Sequence, residues 1–228
     1  MKKLLIIIDA QNDFVTGTLG SKEAEATAPV IAKVMEYAED RGFMFVHTVD
    51  THDNSYFDTQ EGKNLPVAHC MWDSSGKAII KEARTDMKSR IIEKSTFGTL
   101  SWLNNSDLFH DVSDIYMCGF CTDICVIANF QILKAMCPEI PITIISDACA
   151  GSTPELHEAA LKVMKACQAR VKTLEEIKLE EQEFFVAGRG CGKTITSMAQ
   201  VVSKAFDIPF EDAYETIWNA FYNSKEET

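Results

Sequence analysis

Ile115-Tyr116-Met117-Cys118-Gly119-Phe120-Cys121-Thr122-Asp123-Ile124-Cys125-Val126 changes its hydrophobic period halfway along. Up to Met117 it is an apolar run of strand type. From Val126 onward, Ile127, Phe130 and Leu133 recur at helical spacing. A strand that runs through a tight turn into a helix is the repeating unit of an α/β protein. Cys125 stands at that turn. The unpaired N–H groups of a helix start favour thiolate over thiol, so this is a place where a cysteine can become a nucleophile.

The same alternation extends to both sides. Lys3–Ala10 is a short apolar run that ends at an acid, Asp9, and predicts strand one. Residues 23–40 carry Val30, Val34 and Ala38 at helical spacing, and Gly42 follows as a stop. Residues 43–50 predict strand two. Residues 51–76 are polar and show no period, and a loop of that length in a compact domain is usually functional. Residues 89–93 predict strand three, 112–119 strand four and 123–136 the helix after it, closed by Pro138 and Pro141. Residues 142–147 predict strand five. Residues 154–167 predict a helix with Leu156, Ala160, Val163 and Cys167 on one side, and 169–174 predict a sixth strand.

Strands alternating with helices imply crossover units and a parallel sheet. Asp9, Asp50, Lys94, Cys125 and Asp147 all fall at or just past the C-terminal ends of strands. Open parallel sheets bind ligands along that edge. The expected architecture is a three-layer α/β/α domain over residues 1–186, with a mainly parallel six-stranded sheet. A helical extension over 187–228 would pack on the domain or on a second subunit. Its opening, Gly188-Arg189-Gly190-Cys191-Gly192-Lys193-Thr194, imitates a phosphate loop, but Ala187 holds the place of the first required glycine. Two helical patterns follow, one with Ile195, Met198, Val202 and Ala205, the other with Phe210, Tyr214, Ile217 and Phe221.

The bulk composition excludes several classes. The net charge of −12 argues against a nucleic-acid partner, which needs a basic face. No apolar stretch is long enough to span a bilayer, and the apolar run after Lys3 stops too early for a signal peptide. With no export signal, the 8 cysteines are expected as reduced thiols in a cytoplasm.

Three constellations carry chemistry. The first joins Cys125 to Asp9, which can take its proton, and Lys94, which can hold acid and thiol together. Each of these alone is more often a core cysteine, a strand-ending acid or a solvated lysine. All three at strand ends on one sheet edge are harder to assign to chance. The second is Asp50-Thr51-His52 with His69 further along the loop. A carboxylate and two imidazoles suit zinc, iron or manganese, and Glu61 can add an oxygen or simply be a solvated loop charge. The third is Cys118-Gly119-Phe120-Cys121, with the spacing of a dithiol redox site. A redox or metal-binding module on Cys118 and Cys121 is the distant alternative, and it leaves Asp9, Lys94 and the Asp50/His52 pair without a role.

With these residues in place, the chain resembles the isochorismatase-like cysteine hydrolases, and within them the nicotinamidase-related amidases. The matching pieces are Asp9-Ala10-Gln11-Asn12-Asp13-Phe14, Asp50-Thr51-His52, Glu61-Gly62 with Leu65-Pro66 and His69-Cys70, Lys94-Ser95-Thr96-Phe97, Gly119 through Val126, and Asp147-Ala148-Cys149-Ala150. The resemblance runs from residue 3 to about 174 and leaves the tail outside. It implies a catalytic triad of Asp9, Lys94 and Cys125. It implies an oxyanion hole made by the backbone N–H groups of Cys121 and Cys125, with a cis peptide between Phe120 and Cys121. It implies a metal held by Asp50, His52 and His69, with Glu61 at a further ligand position used in some members. Met71-Trp72-Asp73 departs from many members, which carry smaller or basic residues there. Phe14 and Trp72 are candidates for the pocket wall.

The function so implied is metal-assisted hydrolysis of nicotinamide to nicotinate and ammonia through a cysteine thioester. Zinc is the first choice of metal, with iron or manganese as alternatives. The partner is a small-molecule amide, with no nucleic acid or membrane, in a homo-oligomer. A related reaction on another small amide or ureido compound is the near alternative.

Overall fold

The computed structural model of the chain describes residues 2–84, 88–187, 199–200, 202–204 and 208–223. Its strands are β1 (Lys2–Ile8), β2 (Met44–Asp50), β3 (Ser89–Lys94), β4 (Val112–Phe120), β5 (Ile142–Ala150) and β6 (Arg170–Lys172). They form one sheet in the order β3-β2-β1-β4-β5-β6. All five pairings are parallel, so the sheet is wholly and not just mainly parallel among the described residues. Helices accompany it, among them α1 (Asn12–Val15), α2 (Lys22–Asp40), α3 (Gln60–Asn64), α4 (Ile127–Met136) and α5 (Pro154–Ala166), and α6 (Leu174–Ala187) and α7 (Phe210–Asn223) follow further along the chain.

Burial explains why β1 reads as an unbroken apolar run. A central parallel strand is covered on both faces, so alternation is lost. Leu4, Leu5, Ile6, Ile7 and Ile8 are all 0% exposed. β3 lies at the sheet edge, and its Ile91 is exposed.

Caps set the helix ends. The Ser21 hydroxyl accepts from the Ala24 N–H at 3.1 Å at the start of α2, and Glu23 and Glu25 occupy its first turn. Ala24, Ala28, Ile31, Val34, Met35 and Ala38 form its buried stripe. At α5 the Thr153 hydroxyl accepts from the Leu156 N–H, and Pro154 sits in the first turn. The buried residues of α5 are Ala160, Leu161 and Met164, whereas Leu156 and Val163 are exposed. The expected stripe was therefore rotated by about one position, because alanine and leucine at 160–161 gave two equally apolar choices.

The loop after β2 is more ordered than its lack of period suggested. It holds a 3-10 turn over Asn54–Asp58 and the short helix α3. Local capping makes both: Asp53 accepts from the Ser55 N–H at 2.8 Å, and Thr59 accepts from the Gly62 N–H at 3.0 Å. Tyr56 is buried beneath them.

The chain divides into two compact units, Met1–Leu174 and Glu175–Thr228. The change of composition near residue 187 thus falls at the end of a helix, α6, and not at the division between units. The second of the two expected tail helices corresponds to α7. The glycine-rich segment 188–194, and most of the first tail helix, lie outside the described residues. Among those described, no helix is long and apolar enough to cross a membrane. Seven cysteines there are free thiols: 70, 118, 121, 125, 137, 149 and 167.

One glycine is required by the sheet. Gly119 has φ 120°, and a Cβ on it would overlap the Ile8 backbone carbonyl on the neighbouring strand. Gly119→Ala is expected to lower stability by at least about 2 kcal/mol, through strain and the forced separation of β1 and β4. Urea unfolding measures this, and a midpoint equal to wild type would show that the two strands separate freely.

Candidate active site

The strand order reverses between β1 and β4: one half of the chain winds outward through β2 and β3, the other through β5 and β6. That switch point leaves a crevice at the C-terminal strand ends, the usual ligand site of open α/β sheets. Asp9 follows β1 there, with φ 47°, a left-handed turn that lifts the chain off the sheet. Cys125 follows β4, within a single π-helical turn over Thr122–Val126 that leads into α4. The peptide between Phe120 and Cys121 is cis.

Lys94 joins the two sides. It ends the edge strand β3, two strands from β1, or about 10 Å away at normal strand spacing. Its long stem bridges that gap. The ammonium lies 2.6 Å from Asp9 Oδ2, 3.5 Å from Asp50 Oδ1 and 3.6 Å from Cys125 Sγ. The side chains of Lys94 and Asp9 are 1% and 0% exposed, so water screens none of this. Burial opposes the charge on Lys94, but the carboxylates of Asp9 and Asp50 outweigh it and hold the ammonium well above the usual lysine range. Burial raises Asp9 above the usual carboxylate range even against the adjacent ammonium. A carboxylate so raised is a stronger base.

Cys125 places its sulfur on the other side of the Lys94 ammonium. Its thiol is pushed well above the ordinary range, first by burial and then by the charge of Asp9. Desolvation of the charged form here works against the helix-terminal N–H groups and the nearby ammonium. Asp9 lies across the same ammonium, within reach of a proton from that sulfur.

Next to this trio lies a second cluster. One side-chain atom each from Asp50, His52 and His69 falls within 4.8 Å of the others. His52 Nε2 is 3.0 Å and His69 Nε2 3.5 Å from Asp50 Oδ2. Glu61 Oε1 is 3.8 Å from His52 Nε2 and 3.7 Å from His69 Nε2. His69 Nδ1 donates to the Val67 carbonyl at 2.9 Å, which fixes the ring with Nε2 toward the cluster. Burial works against ionisation of Asp50, yet bonds from His52 and His69 and the charge of Lys94 hold its carboxyl well below the usual range. An ionised carboxylate and two convergent imidazoles form a donor set that fits a divalent cation.

A cavity of about 360 Å³ opens onto both clusters. Its wall includes Phe14, Leu65, Phe97, Phe120, Cys121 and Ile124, with Cys125, Asp50, Glu61 and His69 at the polar end. Phe14 meets His69 edge-on, with ring centroids 5.9 Å apart. Trp72 is not among the lining residues and its side chain is 62% exposed. Its backbone N–H donates to the His52 carbonyl at 2.8 Å, so the segment shapes the cluster through its main chain and the indole takes no part in the wall.

The dithiol reading of Cys118 and Cys121 finds no support in the geometry. Cys118 is fully buried inside β4 with its thiol raised well above the usual range, and burial pushes the Cys121 thiol up to about 12. Redox cysteines need an accessible, acidic thiol.

Sequence reasoning gave no role to three polar residues that hold this site. The Thr48 hydroxyl donates to Asp9 Oδ1 at 2.7 Å. Asn129, 0% exposed on the otherwise apolar face of α4, donates to the Cys125 carbonyl at 2.8 Å and accepts from the Trp102 indole at 2.9 Å. Gln11 bonds the backbone of Asp50. Buried polar residues inside apolar patterns were the available signal, since such groups persist only when hydrogen-bonded.

The crevice at the β1/β4 switch point thus carries a buried acid–amine–thiol trio at its floor. The family model of the isochorismatase domain matches residues 3–176, and the chain belongs to that family. A nicotinamidase from Escherichia coli (strain K12) is 25% identical over 210 residues, covering 76% of this chain and 96% of its own. A probable inactive nicotinamidase from Arabidopsis thaliana is 25% identical over 183 residues, covering 75% of this chain and 92% of its own. Among solved structures, nicotinamidase/pyrazinamidase PncA from Bacillus subtilis matches with a TM-score of 0.65 at 25% identity, covering 75% of this chain and 100% of its own.

Proposed function

We propose that this chain is a metal-assisted cysteine amidohydrolase that converts nicotinamide to nicotinate and ammonia. The observation that carries the reading is the Lys94 ammonium, 2.6 Å from Asp9 and 3.6 Å from Cys125 Sγ, beneath an apolar cavity that ends at Asp50 and His69. Similarity to the Escherichia coli nicotinamidase supports it, and the probable inactive relative makes the activity a matter for measurement.

In this reading Asp9 accepts the Cys125 proton as sulfur attacks the amide carbon. Lys94 keeps the acid and the sulfur on either side of one fixed charge. The backbone N–H groups of Cys121 and Cys125, both on the cavity wall, receive the developing oxyanion. Asp9 then passes its proton to the departing ammonia and, as a base again, takes one from the water whose oxygen bonds to the acyl carbon; the C–S bond breaks and Asp9 returns that proton to the Cys125 sulfur. The buried trio excludes bulk water until the amine has left. Phe14 and the apolar wall take the flat ring.

Asp50, His52 and His69 would hold the metal, with Glu61 as a fourth donor. Zinc suits a nitrogen and oxygen set of this kind, and iron or manganese also accept it. When bound, the cation supplies a Lewis acid that can hold the ring nitrogen and so fix the amide over Cys125.

The test is ammonia release from nicotinamide by the purified chain, with elemental analysis of the same sample. Turnover of another small amide or ureido compound but not of nicotinamide would keep the chemistry and change the substrate. Ammonia release from no compound of such a panel would place this chain beside the inactive relative. His52→Ala is expected to reduce bound metal at least about tenfold and to raise KM for nicotinamide. Unchanged metal content in that variant would remove His52 from the ligand set.

A further inference from the structure

β1 and β2 stay in register only to Ile8↔Thr48, after which the left-handed turn at Asp9 takes the chain away from β2. β2 continues to Asp50, still paired with Lys94 of β3 on its other side. In a strand, the N–H and C=O of one residue point to the same neighbour. The inner N–H and C=O of Asp50 have therefore lost the strand that would have paired with them.

Gln11 takes the place of that strand. Its Oε1 accepts from the Asp50 N–H at 2.7 Å and its Nε2 donates to the Asp50 carbonyl at 2.8 Å. The same Nε2 also donates to the Lys77 carbonyl at 2.9 Å. The side chain is 0% exposed, so the amide is fully used and has no access to water. One primary amide thus reproduces both rungs of a missing ladder at a single residue, the one whose carboxylate faces the two imidazoles.

Two residues on, Asp13 does the same for the other end of the cluster. Its Oδ2 accepts from the Cys70 N–H at 2.7 Å, across 57 residues of chain. Its Oδ1 accepts from the Thr18 N–H and hydroxyl, at 3.3 and 3.2 Å. Cys70 follows His69 directly and has φ 47°, a backbone shape that a non-glycine residue keeps only when its surroundings hold it there. A Cβ on Gly76 would overlap the Asp13 carboxylate, so the chain beyond the loop is packed against it as well.

We propose that Gln11 and Asp13 are positioning residues for the metal cradle: Gln11 fixes the backbone of Asp50, Asp13 fixes the turn that presents His69, and both belong to the segment that begins with Asp9. A single stretch, Asp9 to Asp13, then sets the distance between the proton-accepting carboxylate and the cradle. The inference rests on the reading that Asp50, His52 and His69 hold a cation.

The measurement is zinc affinity of the full chain, by competition with a chromophoric chelator, for wild type, Gln11→Met, Gln11→Glu, Asp13→Ala and Asp13→Asn. Loss of partners that orient ligands typically weakens metal binding by about 10- to 100-fold, and that loss is expected for Gln11→Met and Asp13→Ala. Gln11→Glu keeps the acceptor for the Asp50 N–H, and Asp13→Asn keeps one acceptor, so both are expected to recover part of the affinity. Near-ultraviolet circular dichroism identifies the variants that fold, and the conservative pair carries the test if the truncated pair does not. Folded variants that bind zinc as tightly as wild type, whatever their melting temperature, would overturn the positioning role and leave the metal reading standing. A wild-type chain that binds no zinc, iron or manganese would remove the metal reading, and this inference with it.

Discussion

Cys125→Ala is expected to abolish ammonia release from nicotinamide, with a loss of about 10⁶-fold in kcat, the scale on which hydrolases lose rate when their nucleophile is removed. The fold should survive. Cys125 is small and 5% exposed, its carbonyl stays bonded to Asn129, and the removed atom is one sulfur. The variant should still bind metal and substrate, because neither the cradle nor the apolar wall uses the thiol. Cys125→Ser tests the same point from the other side. A hydroxyl in this apolar site is far harder to ionise than a thiol, so Asp9 should not rescue it to more than a trace. Turnover near the wild-type rate in either variant would exclude covalent catalysis by this residue.

Lys94→Met is expected to affect stability and activity together. Its ammonium is the counter-charge for Asp9 at 2.6 Å and Asp50 at 3.5 Å, all three being buried. Removing one partner from a buried ion pair leaves an uncompensated charge and typically costs about 3–5 kcal/mol. The deficit should shrink as pH falls, because the raised Asp9 carboxyl then protonates and needs no counter-ion. For the same reason the double variant Lys94→Met with Asp9→Asn should be more stable than Lys94→Met alone, a non-additivity that a double-mutant cycle reads directly. Urea unfolding at several pH values measures both. A single variant within about 1 kcal/mol of wild type at neutral pH would show that the three charges do not depend on one another in this way.

Much of this molecule could be read before any coordinates. The six strands and the α/β alternation follow from apolar runs whose period is unambiguous: Leu4–Ile8 is apolar throughout because both its faces are covered. The candidate site residues were legible because chemistry-bearing side chains sat at strand ends, where a parallel sheet brings them to one edge. Phe14 could be placed on the wall, but Trp72 could not, because side-chain direction in a turn beyond His69 depends on a backbone that no local pattern records. The two short helical turns after β2 were missed because they come from caps at Asp53 and Thr59, not from a hydrophobic period. A sequence shows the helix start that favours thiolate at Cys125, but not the burial that opposes it.

By itself the sequence determined that this is an alternating α/β chain with an acid, an amine and a thiol at the ends of separate strands. It also supplied a carboxylate and two imidazoles around one loop. Only the tertiary structure decided that the strands run 3-2-1-4-5-6, so that β1 and β4 are neighbours and Asp9 faces Cys125 across the switch point. Only there does Lys94 reach past a whole strand to both, and only there does Gln11 take over hydrogen bonds that β1 gives up when it turns away, while Asp13 holds the turn after His69. The physical reason is that hydrophobic period fixes which residues a strand buries, whereas the order of strands, and the polar groups that order leaves to be satisfied, follow from long-range packing that no local window contains.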